Sequence, residues 1–378
     1  MKAMTRWVVA LAVVSGACWN GAVSSKAADN EEVAEATAMM GSYEAQQKAA
    51  ANARAKDPSW KPACSEVGLI QVGDSKKPGA LKNFCLNAEG NILACYAPLD
   101  KKDTPGLRVY SPKGELLNTF PLEIKPAAVC VAKDGSIFVA GEGKILKLDA
   151  TGKVLITAPS PVASEPVVIT KETEEMVKQM AKDTNRSFDD ELAKMKTNLE
   201  KRRADVTGVA VTDQDVFMAV GAPSEFTYRV YRLDHALENP KMVVEKLRGC
   251  CGQMDIQSHA GNLWIPHNAR HTVEARDREG KQLTKFGKAG KVKASDFGGC
   301  CEPKNLRVLP NGDILAAESG PPTCIKRFSA DGKFIEVLAV TKEDGDCVRV
   351  TVEVSPDGKQ YYMLNTKRDA ILVFGAKS

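Results

Sequence analysis

One unit recurs along this chain and limits what it can become: a short apolar strand, a polar turn and a second apolar strand. It reads FCLNAEGNILACY, VCVAKDGSIFVAG, VAVTDQDVFMAV, DIQSHAGNLWIPH, LRVLPNGDILAAE and VEVSPDGKQYYML. The turns centre on Gly90, Gly135, Gln214, Gly261, Gly312 and Gly358, about 46 residues apart except across one long interval. Four repeats run on into a third strand and a second glycine turn: RVYSPKGELL, LKLDATGKVL, EARDREGKQL and RFSADGKFIEVL. Alternating strands joined by Gly, Asp and Asn turns at this period predict an all-β, six-bladed β-propeller, one four-stranded blade per repeat. The last repeat stops after AILVFGAKS, its third strand, so Glu66–Val72 (EVGLIQV) is expected to supply the missing outer strand. Pairing the two ends would remove edges that invite aggregation.

The rest of the chain divides around this ring. Lys2 and Arg6 precede an apolar run from Trp7 to Val14 and then small residues, the order of a secretory signal peptide over 1–27. Cleavage is expected after Ala17 or Ala27, and a cut before Cys18 would also permit a lipid anchor there. Arg6 stands alone, so no twin-arginine signal for folded export is present. The chain is expected to cross its membrane unfolded and to work in the periplasm or outside the cell. Residues 28–60, rich in Ala and Glu, are read as a peripheral helical segment, and 61–378 as the propeller. The long interval holds a helical insertion at about 164–205. There Ser187 and Asp190 suggest a capped start, and Phe188, Leu192, Met195 and Leu199 form an apolar stripe expected to dock on the propeller.

Composition agrees and excludes. With 378 residues, 43% hydrophobic and 26% charged, the chain can bury a core as one large β domain. Its formal charge of +4 includes Lys2, Arg6 and Lys26 of the leader, leaving a near-neutral mature chain. That excludes nucleic-acid binding by bulk charge. No stretch approaches the roughly 20 apolar residues of a membrane span, and no Walker loop, GxSxG elbow or HExxH motif is present.

The segments GSIFVAGEGKILKLDATGKVL and GDILAAESGPPTCIKRFSADGKF make the repeat resemble the NHL-type six-bladed propeller superfamily, from about Gly68 to Phe374 outside the insertion. The resemblance implies a fold used by binding proteins and by several lyases and hydrolases. Fold alone does not choose among them.

Chemistry concentrates in the cysteines. Of the 11, all but Cys18 lie beyond Ala27. Cys85 and Cys130 each sit five residues before their turn glycine, and equivalent positions on period-2 strands point the same way. They are read either as a disulfide or as two small buried residues. A second group occupies the loops leading into the inner strands of blades four, five and six: Cys250 and Cys251, Cys300 and Cys301, and Cys347. Loops joining second to third strands belong to the same face, and there lie His267, His271, Glu318 and Cys324.

Three readings follow. Disulfides could staple neighbouring blades, which export and an even cysteine count favour. Cys250, Cys251, Cys300, Cys301, Cys324 and Cys347 with His267 and His271 could instead hold a transition metal: zinc, copper or iron. An iron–sulfur cluster is disfavoured, because unfolded export would require loading outside the cytoplasm. A catalytic dithiol is the third, without any thioredoxin-type CxxC to support it. Asp255 and Asn305, four residues after Cys251 and Cys301, should face the channel. With Glu318 and His267 they are candidate catalytic residues of a metal-dependent lyase or hydrolase. The leading expectation is a binding or scaffold module, stapled by disulfides and able to hold a metal at its Cys/His-rich face, which takes a protein or small-molecule ligand.

Overall fold

In the computed structural model the described residues are 45–249, 252–341 and 348–376. The leader and anchor positions, and Cys250, Cys251 and Cys347, lie outside them.

Six four-stranded antiparallel sheets form the body. Blade one comprises β2 (Leu81–Leu86), β3 (Ile92–Tyr96), β4 (Gly106–Tyr110) and β5 (Leu116–Pro121). Blade two runs from β6 (Ala128–Val131) to β9 (Val154–Pro159), and blade three from β10 (Val206–Val211) to β13 (Lys241–Arg248). Blade four runs from β14 (Gln257–His259) to β17 (Gln282–Phe286), and blade five from β18 (Asn305–Val308) to β21 (Phe334–Val340). Blade six combines β22 (Val352–Val354), β23 (Tyr361–Asn365) and β24 (Ala370–Ala376) with β1 (Cys64–Gln71) from the other end of the chain. Thus the expected outer strand closes the ring, with Leu69 opposite Leu372 and Cys64 opposite Ala376. Each inner strand touches the next, and β22 touches β2.

The cores lie between blades. One joins Leu93 and Leu107 of blade one to Val139 and Leu146 of blade two; another joins Leu315 and Ile325 of blade five to Met363 and Phe374 of blade six. Second strands such as β7 (Ile137–Gly141) and β11 (Val216–Gly221) are therefore buried on both sides. This explains their unbroken apolar sequences. Outer strands face water, as in β5, where only Phe120 is buried.

Among the described residues three helices lie outside the blades. Helix α1 covers 45–56, followed by a short 3-10 turn at Pro58–Trp60. The insertion forms α2 (Lys171–Asp183) and α3 (Phe188–Arg202). Two expectations about it are corrected. Ser187 is the N-cap residue of α3 but its hydroxyl makes no capping bond; Asp189, Asp190 and Glu191 in the first turn complement the helix dipole instead. The apolar stripe packs on α2 rather than on the propeller, with Val177, Met195 and Leu199 buried and Met176, Met180, Phe188 and Leu192 around them. Two short amphipathic helices satisfy each other, and the pair joins the ring through polar bonds, such as Arg202 to the Thr227 carbonyl.

Candidate functional site

Lead-in loops and second-to-third-strand loops share one face, as their mutual bonds show: Glu142 accepts from the Lys125 amide, and Glu302 from Ser319. The blade-five lead-in loop, 287–304, carries the densest chemistry. Phe297 roots it in the core between blades four and five. Gly299 has φ 66, and a Cβ there would stand 2.8 Å from the Gly320 carbonyl oxygen, so the loop needs glycine before its cysteines.

Cys300 is exposed and Cys301 wholly buried, their Sγ atoms 3.2 Å apart. Lys304 Nζ, also wholly buried, donates to Cys301 Sγ at 2.9 Å. Between them Glu302 accepts from the Ser319 amide at 3.0 Å and its hydroxyl at 2.6 Å. Burial pushes its carboxyl well above the usual range, against the pull of Lys304. Beneath lies a second buried pair. Lys326 joins Glu318 and donates to the Asp296 carbonyl at 2.7 Å, while Glu318 accepts from the Gly298 amide at 2.7 Å. Burial alone would lower Lys326, but Glu318 holds its ammonium above the ordinary value. Buried charges persist only when paired in this way. Cys324 is buried beside them, and burial followed by the Glu318 charge pushes its thiol up.

Trp60 lies 4.8 Å from Lys326 Nζ and donates to the Val292 carbonyl, while Arg54 donates to that of Lys291. The N-terminal segment therefore flanks this sector. The insertion sits by blades two and three, where Ala204 accepts from the Gly143 amide.

The histidines separate. His267 uses both nitrogens: Nε2 accepts from the Arg248 amide at 3.1 Å, and Nδ1 donates to Glu274 at 2.9 Å. Both nitrogens are thus engaged, leaving no lone pair to offer a metal or substrate. His271 reaches the backbone of Gly299, beside Cys300, and burial lowers its basicity.

Asp255 and Asn305 do face one another in the channel. Asn305 Nδ2 donates to Asp255 at 2.6 Å, and its oxygen accepts from the Val352 amide at 2.9 Å, tying blades four, five and six together. Burial raises the Asp255 carboxyl. Glu318 is held by Lys326, so the anticipated oxygen-rich cation group is not assembled. Deeper, Arg307 pairs with Glu353 and donates to Gln257 at 2.7 Å. Arg349 crosses the mouth to the carbonyls of Ala127 and Gly252. Burial pushes up the thiols of Cys85 and Cys130, which form no bridge.

Among the described residues no disulfide is formed, and no group of three or more His, Cys, Asp or Glu is arranged to hold a metal ion. The structure thus brings together Cys300, Cys301, Cys324, Glu318 and His271 around one loop, and leaves His267, Asp255 and Asn305 in separate hydrogen-bonded roles. Sequence reasoning missed Glu302, Lys304 and Lys326. The one local trace is the lysine three residues after the cysteine pair in GGCCEPKN, which names no partner.

The chain is a six-bladed β-propeller. No family model matches its sequence, and no curated protein does. Among solved structures, it is similar to a structural genomics protein of unknown function from Bacteroides thetaiotaomicron. They share 11% identity and a TM-score of 0.52, over 83% of this chain and 76% of that one. It is also similar to a streptogramin B lyase, at 11% identity and TM-score 0.48, over 82% and 97% of the two chains. A likeness at these identities bears on fold alone.

Proposed function

We propose that this propeller is an exported NHL-type binding module whose ligand is a thiophilic metal ion, zinc, copper or iron, taken up at the blade-five lead-in loop. The observation that carries the reading is the Lys304 bond to buried Cys301. An ammonium against sulfur favours the thiolate, which is the metal-binding form. Cys300 supplies a second sulfur, and His271 stands one loop away. Cys250, Cys251 and Cys347, at matching sequence positions on the neighbouring lead-in loops, complete the proposed ligand set. A lyase or hydrolase acting through His267, Asp255, Asn305 and Glu318 is the weaker reading, since protein partners already engage all four.

Metal analysis of protein purified without reductant or chelator tests this. Stoichiometric metal is expected in the unaltered protein, lost in Cys301→Ser and kept in His267→Ala. Protein without metal that also fails to take up added zinc, copper or iron overturns the reading. Export is checked by N-terminal sequencing of the mature chain, which should begin after Ala17 or Ala27.

A further inference from the structure

Cys300 and Cys301 carry an arrangement that metal binding does not require. They are chain neighbours with sulfurs 3.2 Å apart, one exposed and the other wholly buried. We propose that the pair is a thiol–disulfide exchange site whose substrates are low-mass disulfides and dithiols. It occupies the loop invoked above but rests on sulfur–sulfur geometry, whatever metal the loop takes.

Adjacent Cα atoms are held about 3.8 Å apart, closer than the roughly 4.4–6.8 Å of relaxed disulfides. A bridge between these two would be strained and readily reduced, as labile bridges are and structural staples are not. Exposure sets the order of events. The Cys300 sulfur attacks one sulfur of the incoming disulfide; a new S–S bond forms, the old one breaks, and the first thiol departs with the Cys300 proton. Cys301 Sγ then attacks Cys300 Sγ and expels the second thiol, which takes the Cys301 proton. The two protein sulfurs together give up two electrons, and the incoming disulfide is reduced to two thiols. In the reverse direction a dithiol attacks Cys300 and Cys301 leaves. The Lys304 ammonium at 2.9 Å then stabilises the charge that develops on the leaving sulfur.

The test uses the full-length protein, reduced and then exposed to oxidised glutathione. Remaining thiols are alkylated after denaturation, and the tryptic peptide spanning 294–304 is read by mass. In the unaltered protein this peptide should carry no alkyl group and be lighter by two hydrogens, a change that dithiothreitol reverses. Cys301→Ser should stop at a glutathione adduct on Cys300. Cys300→Ser, a substitution at an exposed position, should leave Cys301 unmodified by glutathione. Lys304→Gln should slow reduction of the bridge about tenfold. Alkylation of both cysteines in oxidised unaltered protein, or linkage of either to another peptide, overturns the proposal. Metal content of the reduced protein is a separate measurement, so failure of one reading is distinguished from failure of the other.

Discussion

At Glu274 a single carboxylate shows how polar groups are settled inside this ring. Burial alone would raise it, but hydrogen bonds from His267 and Arg276 outweigh that and bring it down to about 2, from an ordinary value of 4.5. A carboxylate depressed in the folded state stabilises above its unfolded pKa, and that contribution is lost as pH falls through the folded one. The window here runs from 4.5 down to about 2. Glu274→Gln should flatten the pH dependence of urea unfolding within it, by on the order of 3 kcal/mol. An unchanged slope would mean that the two bonds do not act on the carboxylate. None of this was legible in the sequence. His267 invited a functional reading because its partners, Glu274 and the Arg248 amide, lie on other strands, and no local pattern announces such bonds. Lys304 and Lys326 were missed for the same reason.

The elements were far more legible, because turn chemistry is local. Gly90, Gly135, Gly261, Gly312 and Gly358 all adopt positive φ, between 71° and 87°. Blade three departs from this: Thr212–Asp215 forms a tighter turn in which the Thr212 hydroxyl accepts from the Gln214 and Asp215 amides, so glycine is not required. The helices were found from their stripe, but its target was not, since an apolar face fits a neighbouring helix as well as a sheet. This pairing predicts independence. Leu199→Ala should weaken the insertion by about 3 kcal/mol while the blades keep their stability. Hydrogen exchange should report faster opening across α2 and α3 alone; equal acceleration in β10 and β11 would show that the helices brace the ring.

For the whole molecule, the repeat period and the truncated last repeat sufficed to foresee both blade number and closure. The charges around Cys300, Cys301 and Cys324 could not be foreseen. Closure is fastened by more than strand pairing. Asp369, wholly buried in the turn before β24, accepts from the amides of Gly79, Ala80 and Leu81 at 2.8, 2.9 and 3.1 Å, locking blade six to the start of blade one. Its carboxylate also fills the space that a Cβ on Gly73 would need. Asp369→Ala strands two buried donors and one half-buried one, and a loss on the order of 3 kcal/mol is expected. Urea denaturation measures it, and a change within error of zero would place the fastening elsewhere.

The seam has a mechanical consequence. Cys64 stands opposite Ala376, so the chain enters and leaves β1 and β24 at the same end of their shared ladder. Tension between the two termini would load its hydrogen bonds singly, like the teeth of a zip, rather than all at once. Once the bonds of Arg54 and Trp60 to the blade-five loop are released, a pull opens the circle at this junction before the other blades.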